Sequence, residues 1–323
     1  MEAAQNVRDR LVPASAVTRR RIWFDLLLYP THSFPTAAAP VVVAVAVAYR
    51  HHVFAPLPVI VAFAASLLIH VAGLLYDNYE LLVRYPDNRE HPALVQAYWD
   101  GELTRAALVR AIVVCLVLAA LAGPYLWAVA GWPVAAFGLI GVAASLSYSG
   151  GPLAYARLGL SEIIFFLMFG IVAVVGIFYA EVASAVGDWR GALETLPPEI
   201  WILGLPAGAL TVNILLIDDM RDREADEAKG WRTGAVRFGR RWALVGCIVM
   251  TCFAYTAPFW FWRYFGFSAW ILLPLATLPF AIWILRTLFI TPRLVDLEPV
   301  TPRGAFLAFF FALLLAIGVA VPS

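Results

Sequence analysis

Charge is scarce in this chain of 323 residues: Asp, Glu, Lys and Arg make up 14% of it, against 62% hydrophobic residues. A soluble globular domain carries roughly 25% charged residues and about 45–50% apolar ones. So little polar surface excludes an ordinary water-soluble globule and makes a bilayer the natural solvent. Cysteine is scarce too. Cys115, Cys247 and Cys252 lie in apolar stretches, with no CxxC or zinc-ligand spacing, and read as small buried residues. No secretory signal is expected, since the first 33 residues are polar and Arg-rich with no cleavage site behind a short apolar core. Tandem soluble repeats are not evident. The net charge of +1 says nothing about partners, and no nucleic-acid partner is expected.

What the chain has in abundance is apolar runs of membrane-spanning length. A helix needs about 20 mostly apolar residues to cross the hydrocarbon core. That length predicts an all-α polytopic membrane protein of about nine spans, over 34–50, 54–76, 106–122, 125–147, 160–182, 200–217, 242–262, 268–289 and 304–321. Residues 1–30 form an N-terminal segment and 31–323 a single transmembrane domain. Pro40, Pro133, Pro206 and Pro274 fall inside spans, where neighbouring groups must satisfy the freed backbone. Lys and Arg collect in the N-terminal segment and in alternate loops, chiefly 77–105, 218–241 and 286–303. The positive-inside bias therefore predicts a cytoplasmic N-terminus, with the two longest charged loops facing the cytoplasm; the expected location is a cell inner membrane.

The second of those loops carries the chemistry. Asp218, Asp222 and Asp226 recur at i, i+4 and i+8, so a helix continuing from the sixth span stacks three carboxylates on one face. Like charges at that spacing repel. A hard divalent cation answers the repulsion, since Mg²⁺ takes oxygen ligands and bridges carboxylates to substrate phosphates. Lys229, the only lysine in the chain, sits with Arg221 and Arg232 beside the acids. Cations there suit the outer charge of a diphosphate. The competing structural account is a solvated, salt-bridged loop that only enforces topology. The first loop repeats the theme more loosely. Asp77 and Glu80 share a helical face at the end of the second span, Asp87 and Glu90 follow, and Arg84 and Arg89 stand between them.

The segment DDMRDREADEAKGWRTGAVRFG, from Asp218 to Gly239, resembles the second aspartate-rich motif of the UbiA superfamily of intramembrane prenyltransferases. Asp77 to Asp87 falls where that family has its first motif, with Gly73 where the family usually has Asn. The stretch Tyr148-Ser-Gly150-Gly151-Pro152, followed by Gly159-Leu-Ser-Glu162, is similar to the branch that prenylates 1,4-dihydroxy-2-naphthoate in menaquinone synthesis. The resemblance implies about nine helices around a central cavity open to the cytoplasmic side. It implies that Asp218, Asp222 and Asp226 take Mg²⁺, that Lys229 and Arg232 take the diphosphate, and that Asp77 is a further metal ligand assisted by Glu80.

On that reading Asp77, Asp218 and Asp222 are the catalytic carboxylates. Arg84, Arg221, Lys229, Arg232, Tyr76 and Tyr148 line the substrates, the two tyrosines offering ring faces to a carbocation. The expected reaction moves a polyprenyl group from its diphosphate to an aromatic acceptor. A membrane terpene cyclase would need the same diphosphate clamp. A transporter is the competing class, but transporters place ionisable groups near the bilayer midplane, and here the acids cluster at one end of the spans.

Overall fold

A computed structural model describes residues 22, 23, 26, 33–85 and 92–322. Most of the predicted 1–30 segment, and Asp87, Arg89 and Glu90 of the first inner loop, lie outside the described residues. Among those described, regular structure is entirely helical.

Nine long helices follow the predicted order: α1 (Ser33–Arg50), α2 (Pro56–Arg84), α3 (Arg105–Leu121), α4 (Gly123–Leu146), α5 (Ser161–Val186), α6 (Ile200–Arg221), α7 (Arg240–Tyr264), α8 (Ala269–Ile290) and α9 (Val300–Ala320). All but α3 are long and apolar enough to cross a membrane, and α3, with 17 residues, is the shortest. The protein is a multi-span integral membrane protein. α2 has 29 residues, about 44 Å of helix against a hydrocarbon core of about 30 Å. Its last two turns therefore extend beyond the predicted span and carry Asp77, Glu80 and Arg84.

The prolines are accommodated in different ways. Pro206 opens the main segment of α6, where its missing N–H costs nothing. Pro274 lies in a 3₁₀ stretch, Ala269–Thr277. Pro133 follows a kink at Gly131, where the backbone leaves helical geometry. The carbonyl of Ala130 at this kink accepts a 2.6 Å hydrogen bond from the Tyr179 hydroxyl, which meets the need for internal satisfaction in lipid.

α6 is the central helix. Of its most apolar stretch 83% is buried inside the protein, against 17% for α4, which faces outward. α6 packs against α5, α7 and α9, α1 lies along α9, and α2 lies against α3 and α4. Lipid supplies no hydrophobic drive between helices, so close packing has to hold them together. The α5–α6 crossing shows how. A Cβ on Gly208 would stand 2.8 Å from the Cα of Gly170, and one on Gly204 would collide with the Gly170 carbonyl.

Candidate functional site

Three segments meet at one end of the bundle: the extended end of α2, the connection between α4 and α5, and the segment that follows α6. On α2, Glu80 is buried, and its Oε2 pairs with Arg84 and, at 3.1 Å, with Nη2 of Arg157. The same Arg157 nitrogen donates to the carbonyl of Ser149. The backbone carbonyl of Arg157 accepts the N–H of Arg232 at 3.1 Å. One residue of the α4–α5 connection thus holds both acidic segments.

After α6 the helix does not continue unbroken as the spacing predicts. It ends at Arg221, and a short helix, Arg223–Ala228, starts beyond Asp222. The i, i+4 ladder nevertheless persists. The Asp222 N–H donates to the Asp218 carbonyl and the Asp226 N–H to that of Asp222, both at 2.8 Å. Gly230, with φ +76°, then closes the short helix, its N–H donating to Glu227 and that of Trp231 to Asp226. This Schellman arrangement needs a left-handed residue, which glycine supplies. It folds Lys229 and Trp231 back over the acids.

The cations are shared out. Arg221 reaches Asp218 Oδ1 at 2.6 Å and engages both oxygens of Asp222, through Nε at 2.7 Å and through Nη2. Thr301 of α9 donates to Asp218 at 2.6 Å. Lys229 Nζ lies 2.9 Å from Asp226 Oδ1 and 4.1 Å from the ring centroid of Trp231. Trp231 Nε1 donates to the hydroxyl of Tyr85, which itself donates to the Lys229 carbonyl, each at 3.3 Å. Arg84 and Arg232 are exposed.

Tyr148 marks the point of convergence. Burial pushes its phenol well above the ordinary tyrosine range, and the carboxylates of Asp77, Asp219 and Asp226 push it further. Those acids come from both segments. Tyr155 beside it is raised for the same reasons, burial first and then Asp77. The ring of Tyr76 packs against Gly150 and stacks on Tyr79 at 6.2 Å.

The donor set suits a hard cation. Asp219 is buried, faces the carboxylates of Glu162, Asp226, Asp218 and Asp222, and its Oδ2 has no hydrogen-bond partner among the described residues. An oxygen so placed, among acids in excess, fits Mg²⁺ chemistry. Among the described residues no three His, Cys, Asp or Glu side chains stand ready around one point. Arg221 and Lys229 neutralise the acids instead.

Gly73 also finds its reason here. A Cβ at Gly73 would lie 2.6 Å from Ser145 Oγ, which donates to the Ile69 carbonyl. α2 and α4 cross too closely for the asparagine that the family usually has.

Residues 37–314 match the sequence model of the UbiA prenyltransferase family. The chain belongs to that family. Among curated UbiA relatives, the 1,4-dihydroxy-2-naphthoate octaprenyltransferase of Escherichia coli is 27% identical over 229 residues, covering 69% of this chain and 70% of the relative. The enzyme of that name from Mycobacterium tuberculosis is 29% identical over 208 residues, covering 64% and 67%. The solved structure of a digeranylgeranylglyceryl phosphate synthase covers 94% of this chain and 99% of its own, with a TM-score of 0.50 and 13% identity. At that identity the likeness is one of fold. As a UbiA-family member with such relatives, the protein is a prenyltransferase.

Five residues of the site escaped the sequence reading of roles: Arg157, Glu162, Asp219, Tyr85 and Trp231. Asp219 is the instructive one. Its i, i+1 position beside Asp218 puts it off the stacked face, and only burial at the foot of α6 reveals it.

Proposed function

We propose that this prenyltransferase moves a polyprenyl group from a polyprenyl diphosphate to an aromatic acceptor of the dihydroxynaphthoate class, as a step toward a menaquinone-type quinone, with Mg²⁺ as cofactor. The observation that carries this reading is the joining of two separate acidic segments through Arg157, whose guanidinium pairs with Glu80 of α2 and whose carbonyl holds the N–H of Arg232 in the segment after α6. The names of the curated relatives support the acceptor. The arginine distribution supports a cytoplasmic N-terminus and a site facing the cytoplasm, and the bacterial relatives support an inner membrane.

Asp77, Asp218, Asp222 and Asp226 would hold Mg²⁺, with Asp219 among them. When bound, the metal supplies positive charge that neutralises the departing diphosphate. The protein's own residues do the rest. Lys229, paired with Asp226, and Arg221, paired with Asp218 and Asp222, would bind the outer oxygens of the diphosphate beside those acids. The C1–O bond of the allylic diphosphate breaks and its electron pair leaves with the diphosphate oxygen. The electron-rich ring attacks C1 to form the new C–C bond. The attacked ring carbon then sheds its substituent, as a proton or, from a carboxylated carbon, as CO₂. Tyr148 presents an aromatic face beside the acids, where a developing cation is stabilised electrostatically. The surrounding apolar helices keep water from that cation.

Diphosphate release by the purified protein tests the reading, with polyprenyl diphosphates of graded length, with and without Mg²⁺, and with an aromatic acceptor panel. Release that requires Mg²⁺ and dihydroxynaphthoate, with a prenylated ring as product, is the expected result. Release without any acceptor, yielding a cyclic hydrocarbon or alcohol, would replace it with a terpene cyclase.

A further inference from the structure

The acid cluster is the upper end of a column of rings that descends into the membrane. Tyr155 meets Tyr148 edge to face at 5.5 Å between centroids, Tyr148 meets Phe165 at 5.8 Å, and Phe165 meets Phe169 at 5.5 Å. Phe165 and Phe169 are four residues apart on α5, so they stack along one face. Phe169 lies in a π-helical turn, Met168–Val172, an irregularity that re-aims side chains and is frequent at functional sites. Its ring edge meets the imidazole of His70 across the bundle, at 6.2 Å and 87°.

His70 is the anomaly. It stands at the middle of α2, seven residues before Asp77. Seven residues bring the chain back to within about 20° of the same face and about 10 Å further along the axis. His70 therefore points the way Asp77 does, one Asp77-to-His70 interval deeper in the bilayer. A polar ring at that depth is costly and marks function by default. Its side chain is half-buried inside the bundle and makes no side-chain hydrogen bond among the described residues, only the ring contact with Phe169.

We infer that His70 is an acceptor-binding residue: its imidazole hydrogen-bonds a hydroxyl of the aromatic acceptor, whose ring lies against the Tyr148–Phe165–Phe169 column. This rests on the prenyl-transfer reading above and adds the place and orientation of the second substrate. The alternative occupant of the column is the prenyl tail. A tail of hydrocarbon has nothing to offer an imidazole inside the bundle, whereas a hydroxylated ring offers both a flat face and a polar group. The column begins at the acids, where the diphosphate and C1 are held, so a ring seated on it is within reach of C1.

The test compares wild type, His70→Phe and His70→Gln in purified form, with Mg²⁺ and a fixed polyprenyl diphosphate. Two acceptors are used: 1,4-dihydroxy-2-naphthoate and the same naphthoate lacking one hydroxyl. His70→Phe is expected to raise the dihydroxynaphthoate KM at least about tenfold, because a site that hydrogen-bonds a hydroxyl discriminates strongly for it. The KM for polyprenyl diphosphate should stay within about twofold, and the mono-hydroxy compound should lose its disadvantage. His70→Gln, which keeps a donor and an acceptor, should restore most of the preference and guards against misfolding of the Phe variant. An unchanged acceptor KM in both variants would overturn the inference. So would a shift confined to the polyprenyl diphosphate KM or its chain-length preference, which would give the column to the tail. A wild type that prenylates no aromatic acceptor would overturn this inference together with the function proposed above. An active wild type with an unmoved acceptor KM in the variants would overturn this inference alone.

Discussion

Arg157 Nη2 lies 3.1 Å from the buried carboxylate of Glu80, and the Arg157 carbonyl holds the N–H of Arg232 at the same distance. A single residue between α4 and α5 therefore fixes the spacing of the two acidic segments. Arg157→Gln should cost roughly 1.5–3 kcal/mol of stability in detergent, the scale of a hydrogen bond to a charged group, and not more, because Arg84 still partners Glu80. Activity should fall by more than stability explains. In a double-mutant cycle, Glu80→Gln added to Arg157→Gln should cost less than it does alone. Additive losses would show that the two residues act independently.

Asp222 accepts two hydrogen bonds from Arg221 and sits in the middle of the i, i+4 ladder. Asp222→Asn should lower turnover by roughly 10²-fold or more, the loss typical when charge stabilisation is removed. Membrane insertion and expression should be unaffected. Activity within twofold of wild type would remove Asp222 from the mechanism.

Lys229 is held between Asp226 and the face of Trp231. Lys229→Ala should raise the KM for polyprenyl diphosphate and leave that of the acceptor in place, and Lys229→Arg should recover part of the loss. If only the acceptor KM moved, Lys229 would belong to the other substrate.

Tyr148 and Tyr155 carry phenols raised above the usual value of about 10, by burial first and by Asp77 among the acids. The sign follows directly. A folded-state pKa above the unfolded one means that the native protein holds the proton more tightly, so the stability this contributes is full below pH about 10 and is lost as pH rises beyond it. Both phenols should stay protonated through the neutral range, and tyrosinate absorbance should show a late-titrating fraction. Tyr148→Phe should shrink that fraction and soften the alkaline loss of stability. An unchanged titration curve would contradict the enclosure of Tyr148.

Gly73 lets α2 and α4 approach until Ser145 Oγ occupies the space of a Cβ. Gly73→Ala should destabilise by roughly 1–3 kcal/mol through overpacking, and Gly73→Asn by more. Combining Gly73→Ala with Ser145→Gly should recover most of the loss. A Gly73→Ala protein as stable as wild type would show that the crossing is looser than described.

How much was readable in advance depends on the range of the interaction. Apolar runs set the spans because crossing a hydrocarbon layer is a local property of about 20 residues, and among the described residues eight of the nine appeared as helices long and apolar enough to cross, with α3 a shorter helix. The acid ladder was legible for the same reason, since a period of four is local and survives as backbone bonds from Asp218 to Asp222 to Asp226 even though the helix breaks. The apolar scale ends the second span at 76 because it stops at the membrane edge, whereas the helix carries Asp77 and Glu80 on one face, as their spacing indicated, and runs on to Arg84.

The pairings were decided only in three dimensions. Nothing local says that Arg157 holds Glu80 across 77 positions, that Asp219 faces Glu162, or that His70 of α2 meets Phe169 of α5. Those contacts depend on which helices lie side by side. In lipid that choice is made by close packing at positions such as Gly73, Gly170, Gly204 and Gly208. Apolarity commits the chain to the membrane and to helices, but it is the same on every lipid-facing surface and so cannot say which helix is whose neighbour.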